Sequence, residues 1–213
     1  MEITTGLHAF IWRDFQLNNC NTYLIRGSHN ILIDPGLSRF FGNIKGALGE
    51  LGLSPHQIDM VIITHAHYDH MEAAEVFDKI SPVAMSSKDY EFSRESIGVS
   101  SGQVVPDIYL QDGDLVLGDI GLKVISTPGH SPGSICIYWE EHKALISGDV
   151  VFDQSIGRTD LPGGQGSMLK ESIRKLATLD VDFLLPGHGE IVIGNQAVKN
   201  NFKAIESMWF NYL

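Results

Sequence analysis

Four apolar residues, Met60-Val61-Ile62-Ile63, run up to Thr64, and the next six are His65-Ala66-His67-Tyr68-Asp69-His70. The apolar run reads as a strand buried on both faces, within Asp59–Ile63. Three histidines and a carboxylate therefore stand together at the end of a buried strand. Packing gives no reason for four such groups in six residues; metal ligation does. In extended chain alternate side chains share a face, so His65 and His67 reach one ion together. Asp69 and His70 come at the turn into the following helix and point elsewhere, which makes a second ion the economical reading.

An ion that does chemistry needs about three protein ligands and an open position. Three later segments repeat the setting of an apolar strand followed by a tight Gly-rich turn. His130 lies in Thr127-Pro128-Gly129-His130-Ser131-Pro132-Gly133, Asp149 follows Ser147-Gly148, and His188 lies in Pro186-Gly187-His188-Gly189. Ligands at successive strand ends converge on one rim of a sheet sandwich. The isolated His8, His29, His56 and His142 read as ordinary surface or core residues.

The rest of the chain supports a sandwich. Strands are expected at Thr22–Arg26, Ile31–Asp34, Pro82–Met85, Asp107–Leu110, Asp114–Leu117, Leu122–Ser126, Ser134–Trp139, Lys143–Ser147 and Phe183–Leu185. Turns fall at Gly118–Gly121 and Glu140–His142. Helices are expected over Arg39–Leu51, residues 69–79, Ser86–Arg94, Gly166–Leu179 and Asn195–Tyr212, with Gly52 stopping the first. Residues 96–106 carry few anchoring signals and read as a mobile loop. No linker interrupts the pattern. The expected fold is α/β, an αββα sandwich of two mixed sheets face to face with helices outside, in one domain over residues 1–213.

Composition excludes several partners. With 43% hydrophobic and 19% charged residues the chain is globular. The net charge of −11 and the lack of a basic patch argue against nucleic acid and against an anionic membrane surface. Two divalent cations would bring the charge to about −7. Cys20 and Cys136 are too few and too far apart for a disulfide scaffold or a thiolate metal site, and read as reduced, buried thiols. No signal peptide or membrane span is visible, so the expectation is a soluble, cytoplasmic protein. Met208, Trp209 and Phe210 on the terminal helix could serve a homo-oligomer or pack on their own domain.

The His-x-His-x-Asp-His run, followed in order by His130, Asp149 and His188, resembles the metallo-β-lactamase fold superfamily over roughly residues 17–194. The resemblance implies that His65, His67 and His130 hold a first metal, that Asp69, His70 and His188 hold a second, and that Asp149 bridges both. The run Gly157-Arg158-Thr159-Asp160 is similar to that of single-domain glyoxalase II-like hydrolases and of persulfide dioxygenase relatives. Arg158 is expected either to grip a substrate carboxylate, as a basic residue at this place does for glutathione in glyoxalase II, or to pair within its own loop with Asp153 or Asp160. The implied activity is hydrolysis of a thioester such as a hydroxyacyl-glutathione. The nucleophile would be a hydroxide shared by the two ions, with Asp69 orienting it. Imidazole and carboxylate donors suit zinc first, with iron or manganese open. The alternatives are an iron persulfide dioxygenase using only His65, His130 and Asp149, a lactonase, and a non-catalytic metal-stabilised module.

Two departures bear on the substrate. Met71-Glu72-Ala73-Ala74 stands where relatives carry two glycines, which reshapes a pocket wall and adds a carboxylate. The longer C-terminal helical region of glyoxalase II has no counterpart before Leu213. Asp34, at a strand end before Pro35-Gly36, is a candidate either to orient a histidine or to cap its turn. Tyr68 is expected to pack or line the rim.

Overall fold

A computed structural model of the chain describes residues 1–14, 16–96 and 104–213. Seven strands form the first sheet in sequence order: β1 (Glu2–Thr4), β2 (Leu7–Phe10), β3 (Thr22–Arg26), β4 (Asn30–Ile33), β5 (Met60–Ile62), β6 (Val83–Ser86) and β7 (Ile108–Leu110). The second sheet contains β8 (Gly113–Leu117), β9 (Ile120–Ser126), β10 (Ile135–Trp139), β11 (Ala144–Gly148), β14 (Phe183–Pro186) and β15 (Val192–Ile193), in the order β15-β14-β11-β10-β9-β8. A short hairpin, β12 (Val151–Phe152) and β13 (Ser155–Ile156), stands apart from both.

Strand periodicity explains why the apolar runs are continuous. Tyr23, Ile25, Ile31, Ile33 and Ile62 point into the layer between the sheets, where they meet Ile135, Ile137 and Ile146. Their neighbours Leu24, Leu32 and Val61 point the other way, into a second apolar layer. That layer is closed by α1 (Phe41–Glu50), which contributes Phe41, Ile44 and Leu48 at helical spacing. The outer face of the second sheet is covered by α4 (Gly166–Leu176) through Leu169, Ile173 and Leu176, and by α5 (Asn195–Trp209) through Val198, Phe202 and Ile205. Burying a leucine such as Leu24, fully enclosed, is worth about 2 kcal/mol. The αββα sandwich is thus observed.

Boundaries differ from the expected ones in instructive places. The helix expected over 69–79 is one α-turn, α2 (Tyr68–Met71), continued as a 3-10 helix over Glu72–Phe77. The carbonyls that would extend the α-helix are taken from outside. Asp69 O accepts the Cys20 amide at 3.3 Å and His70 O accepts the Gly36 amide at 3.1 Å. The Ala73 amide turns to Gly36 O at 2.7 Å. The first helix opens with a 3-10 turn over Ser38–Phe40, and Gly52 does end it, with φ +72°. The third helix, α3, covers Ser87–Ser96. The last two helices stop three residues before their expected ends. Most of the loop expected at 96–106 lies outside the described residues. Both cysteines are free and buried. Phe210 is buried and Trp209 packs on its own sheet, which leaves Met208 as the exposed member of that trio.

Direction explains the site. β4 and β5 are parallel, as are β11 and β14, and β9 runs the same way as β11 because each is antiparallel to β10. The chain therefore leaves β4, β5, β9, β11 and β14 at common edges of the two sheets. The sheets are stitched there by the Asn21 amide to Gly187 O at 2.7 Å and the Ile135 amide to Thr64 O at 3.0 Å.

Candidate metal centre

The residues leaving those strand ends meet. His65 and His67 stand on irregular chain beyond the end of β5, Asp69 and His70 on α2, His130 after β9, Asp149 after β11 and His188 after β14. Their donor atoms form two triads, His65/His67/His130 and Asp69/His70/His188, and a third group, His65/His70/Asp149, links them. In the first, His67 Nδ1 is 3.1 Å from His65 Nε2 and 2.9 Å from His130 Nε2. In the second, His188 Nε2 is 3.3 Å from His70 Nε2 and 3.1 Å from Asp69 Oδ2. Asp149 lies between them. Its Oδ1 is 3.2 Å from His70 Nε2, and its Oδ2 is 3.4 Å from His188, 3.6 Å from His130 and 3.9 Å from His65. All seven residues singled out as ligands from the sequence are thus brought together.

The donor set fits metal ions. Ligands about 2.0–2.1 Å from a tetrahedral ion lie about 3.3 Å apart, close to the separations here. Hydrogen bonding fixes which nitrogens carry protons. Thr64 Oγ1 donates to Asp34 Oδ2 at 2.7 Å, so it accepts from His65 Nδ1 at 3.1 Å, leaving His65 Nε2 bare. His130 Nδ1 donates to Arg158 O at 2.8 Å, leaving its Nε2 bare. His70 Nδ1 donates to Asp34 Oδ2 at 2.8 Å, aiming its Nε2 inward. Buried lone pairs facing one another at 3 Å repel unless a cation lies between them. Asp149 Oδ1 is also buried without a hydrogen-bond partner among the described residues.

Electrostatics agree. Burial, helped by neighbouring histidines, pushes His65 well below the usual imidazole range and His67 down to about 4, so both stay in the neutral, ligating form. Burial opposes charge on His188 and His70, but the surrounding acidic groups outweigh it. His188 rises to about 9, chiefly through Asp149, and His70 rises well above its usual range beside Asp149 and Asp34. Asp69, despite burial, is drawn down to about 2 by its bond from His188, and Asp149 falls well below the carboxylate range beside His70 and His188. Positive charge is thus already required to balance the two carboxylates.

Glycine makes the crowding feasible. A Cβ on Gly187 would collide with Asp149 Oδ1 and come within 2.7 Å of His70 Cε1. A Cβ on Gly157 would strike the Asp149 carbonyl.

Three supporting features stand out. Asp34, foreseen at its strand end, binds both Thr64 and His70, and does so from a left-handed backbone with φ 52°. Asp89, on α3, is buried and accepts from the Ala66 amide at 2.7 Å, the Gly133 amide at 2.7 Å and Ser131 Oγ at 2.9 Å. It thereby ties the His65–His70 loop to the His130 loop. Nothing local in the sequence marks Asp89, because its partners are distant in the chain. Glu72 stands clear of the ligands: its Oε2 accepts the Ser38 amide at 2.9 Å.

The centre opens into a cleft of roughly 560 Å³ whose walls include Leu37, Arg39, Tyr68, Phe152, Ile156 and Arg158. Tyr68 lies half exposed on the rim. Arg158 pairs bidentately with Asp160, Nε to Oδ1 at 2.9 Å and Nη2 to Oδ2 at 2.8 Å, and both side chains are exposed. Arg39, which the motifs did not single out, also lines the cleft.

Comparison with known proteins agrees with this geometry. A probable metallo-hydrolase of Methanocaldococcus jannaschii is 36% identical over 188 residues, covering 80% of this chain and 88% of its own. The hydroxyacylglutathione hydrolase of Francisella tularensis subsp. novicida is 29% identical over 198 residues, covering 92% of this chain and 72% of its own. A protein crystallised in a di-iron-bound form superposes with a TM-score of 0.70 at 28% identity, over 91% of this chain and 95% of that one. The model of the metallo-beta-lactamase superfamily matches residues 16–188, and the chain belongs to that superfamily.

Proposed function

We propose that this chain is a binuclear metal-dependent hydrolase that cleaves thioesters. His65, His67 and His130 would hold one divalent ion, Asp69, His70 and His188 the other, and Asp149 both. The observation that carries the reading is the position of Asp149, a carboxylate within 3.2–3.9 Å of histidines from each triad. A mononuclear site of His65, His130 and Asp149 would leave Asp69, His70 and His188 assembled without use.

Two ions so held supply an activated water and a Lewis acid for the substrate carbonyl. The chain's own groups do the rest. Asp69 is a carboxylate held below its usual range beside His188, and it acts as a hydrogen-bond acceptor. It orients a water by accepting its hydrogen bond. Asp34 and the Arg158 carbonyl keep His70 and His130 in the ligating tautomer. A thiolate leaves without a strong acid to protonate it, so a cleft with metal ligands at its floor suffices for a thioester. The likeness to a hydroxyacylglutathione hydrolase supports this substrate class. Zinc is the first choice of metal, with iron and manganese compatible with the same donors.

The test is metal content combined with a substrate panel. Two equivalents of metal per chain and thiol release from S-lactoylglutathione are expected. One iron per chain with oxygen uptake on glutathione persulfide would replace the proposal with a dioxygenase. Lactone turnover without thiol release would replace it with a lactonase.

A further inference from the structure

Two arginines border the cleft, and they are in different states. Arg158 is already neutralised by its bidentate pair with Asp160. Arg39 makes no ion pair or hydrogen bond among the described residues. Its guanidinium instead lies over the Phe40 ring, 4.7 Å from the centroid, and Phe40 packs on Trp12 at 4.6 Å. Stacking holds the planar group while leaving its five N–H donors unengaged.

The carboxylates bonded to Ser38, the neighbour of Arg39, are engaged there. Glu72 accepts the Ser38 amide at 2.9 Å, and Glu75 accepts Ser38 Oγ at 2.7 Å. The Leu37 amide is bound by Asn19 Oδ1 at 2.8 Å, and the Gly36 amide by His70 O at 3.1 Å. The rim carrying Arg39 is therefore pinned to the short helix that carries Asp69 and His70 and, through Glu72 and Glu75, to the 3-10 turn that continues it. The Met71-Glu72 departure in the sequence acquires a role here: Glu72 holds the rim.

We infer that Arg39 receives a carboxylate on the substrate, which makes the preferred substrate an anionic thioester, and that Glu72 is the positioning residue for it. The inference rests on the hydrolase reading of the cleft. A free, stacked guanidinium beside the centre offers a paired, charge-assisted contact to a carboxylate, whereas Arg158 would first have to release Asp160.

The experiment uses zinc-loaded protein and two matched pairs of probes. 3-Mercaptopropionate and its methyl ester are compared by calorimetric binding, and the acetyl thioesters of the same two thiols by turnover. Wild type is expected to bind the acid at least tenfold more tightly than the ester. Arg39→Ala should remove that preference, Arg39→Lys should keep part of it, and Arg158→Ala should keep it. Glu72→Ala should raise KM for the acid thioester with little change in kcat, while Glu72→Gln, which retains an acceptor for Ser38, should restore it. Equal binding of acid and ester by wild type, or loss of the preference in Arg158→Ala rather than Arg39→Ala, would overturn the assignment. Absence of turnover of both thioesters, with an Arg39-dependent preference in binding, would sink the thioesterase reading and leave Arg39 as the anion site.

Discussion

Asp34 is the residue at which geometry makes the sharpest prediction. One of its oxygens accepts the Thr64 amide at 2.8 Å; the other accepts both Thr64 Oγ1 at 2.7 Å and His70 Nδ1 at 2.8 Å. Asparagine can satisfy only one side. If its oxygen stays on the Thr64 amide, its NH2 faces two donors, and His70 is driven to the tautomer that carries its proton on Nε2, toward the metal. Loss of such an orienting partner costs about 10–100-fold in metal affinity, or about 1.4–2.7 kcal/mol. The ion at Asp69/His70/His188 should lose more than the other, because His65 feels Asp34 only through Thr64. Backbone strain is separable from this. With φ 52°, Asp34→Asn keeps a residue that tolerates the left-handed region. Asp34→Ala adds about 1 kcal/mol of strain to the same loss of affinity, and Asp34→Gly removes that strain again. Zinc titration against a chromophoric chelator, with urea unfolding of the metal-free variants, distinguishes these terms. An Asp34→Asn protein that binds both ions within twofold of wild type would refute the argument.

Other outcomes follow from the same structure. Asp89→Ala should strand the Ala66 and Gly133 amides in the interior, while Ser131 Oγ keeps Ser134 Oγ at 2.6 Å; at about 1–3 kcal/mol per amide, less the recovered solvation of the carboxylate, the net loss is about 2–4 kcal/mol. An unchanged urea midpoint would contradict it. Gly187→Ala should fold normally by circular dichroism yet bind fewer than two metal equivalents by elemental analysis, since its methyl displaces Asp149. Burial pushes Cys136 from 9.0 up to about 12, so above pH 9 the unfolded chain binds fewer protons than the folded one. Stability should then fall by about 1.4 kcal/mol per pH unit between pH 9 and 12 through this thiol, with no contribution below pH 9. Cys136→Ala should reduce the slope of that limb in urea unfolding across pH 8–11 while the equally buried Cys20 keeps its own share; an identical slope would count against it.

The candidate metal centre was legible because its seven residues follow strands whose apolar runs are themselves legible, and because parallel strands deliver their ends to one edge. Asp34 was legible for the same reason. Asp89 and Arg39 were not, since each matters through partners that only the folded chain supplies. The hairpin β12–β13 was invisible for a related reason. Its turn residue Gln154 adopts φ 53° without a glycine, and the hairpin is held by Asn201 and Trp209 of the terminal helix, through Gln154 and Phe152. The short α2 likewise reflects carbonyls captured by Cys20 and Gly36 rather than any helix-breaking residue in the sequence.

The candidate ligands come from both sheets, and the first and last are separated by roughly 120 residues of chain, so bound metal would act as a reversible cross-link closing a very long loop. Its consequence lies in the life history of the protein. A growing chain presents the His65–His70 loop well before His188, so the second triad cannot exist until β14 has been made and the two sheets have docked. Metal loading would thereby certify a finished fold, and chelation should loosen the seam between the sheets before it loosens either sheet.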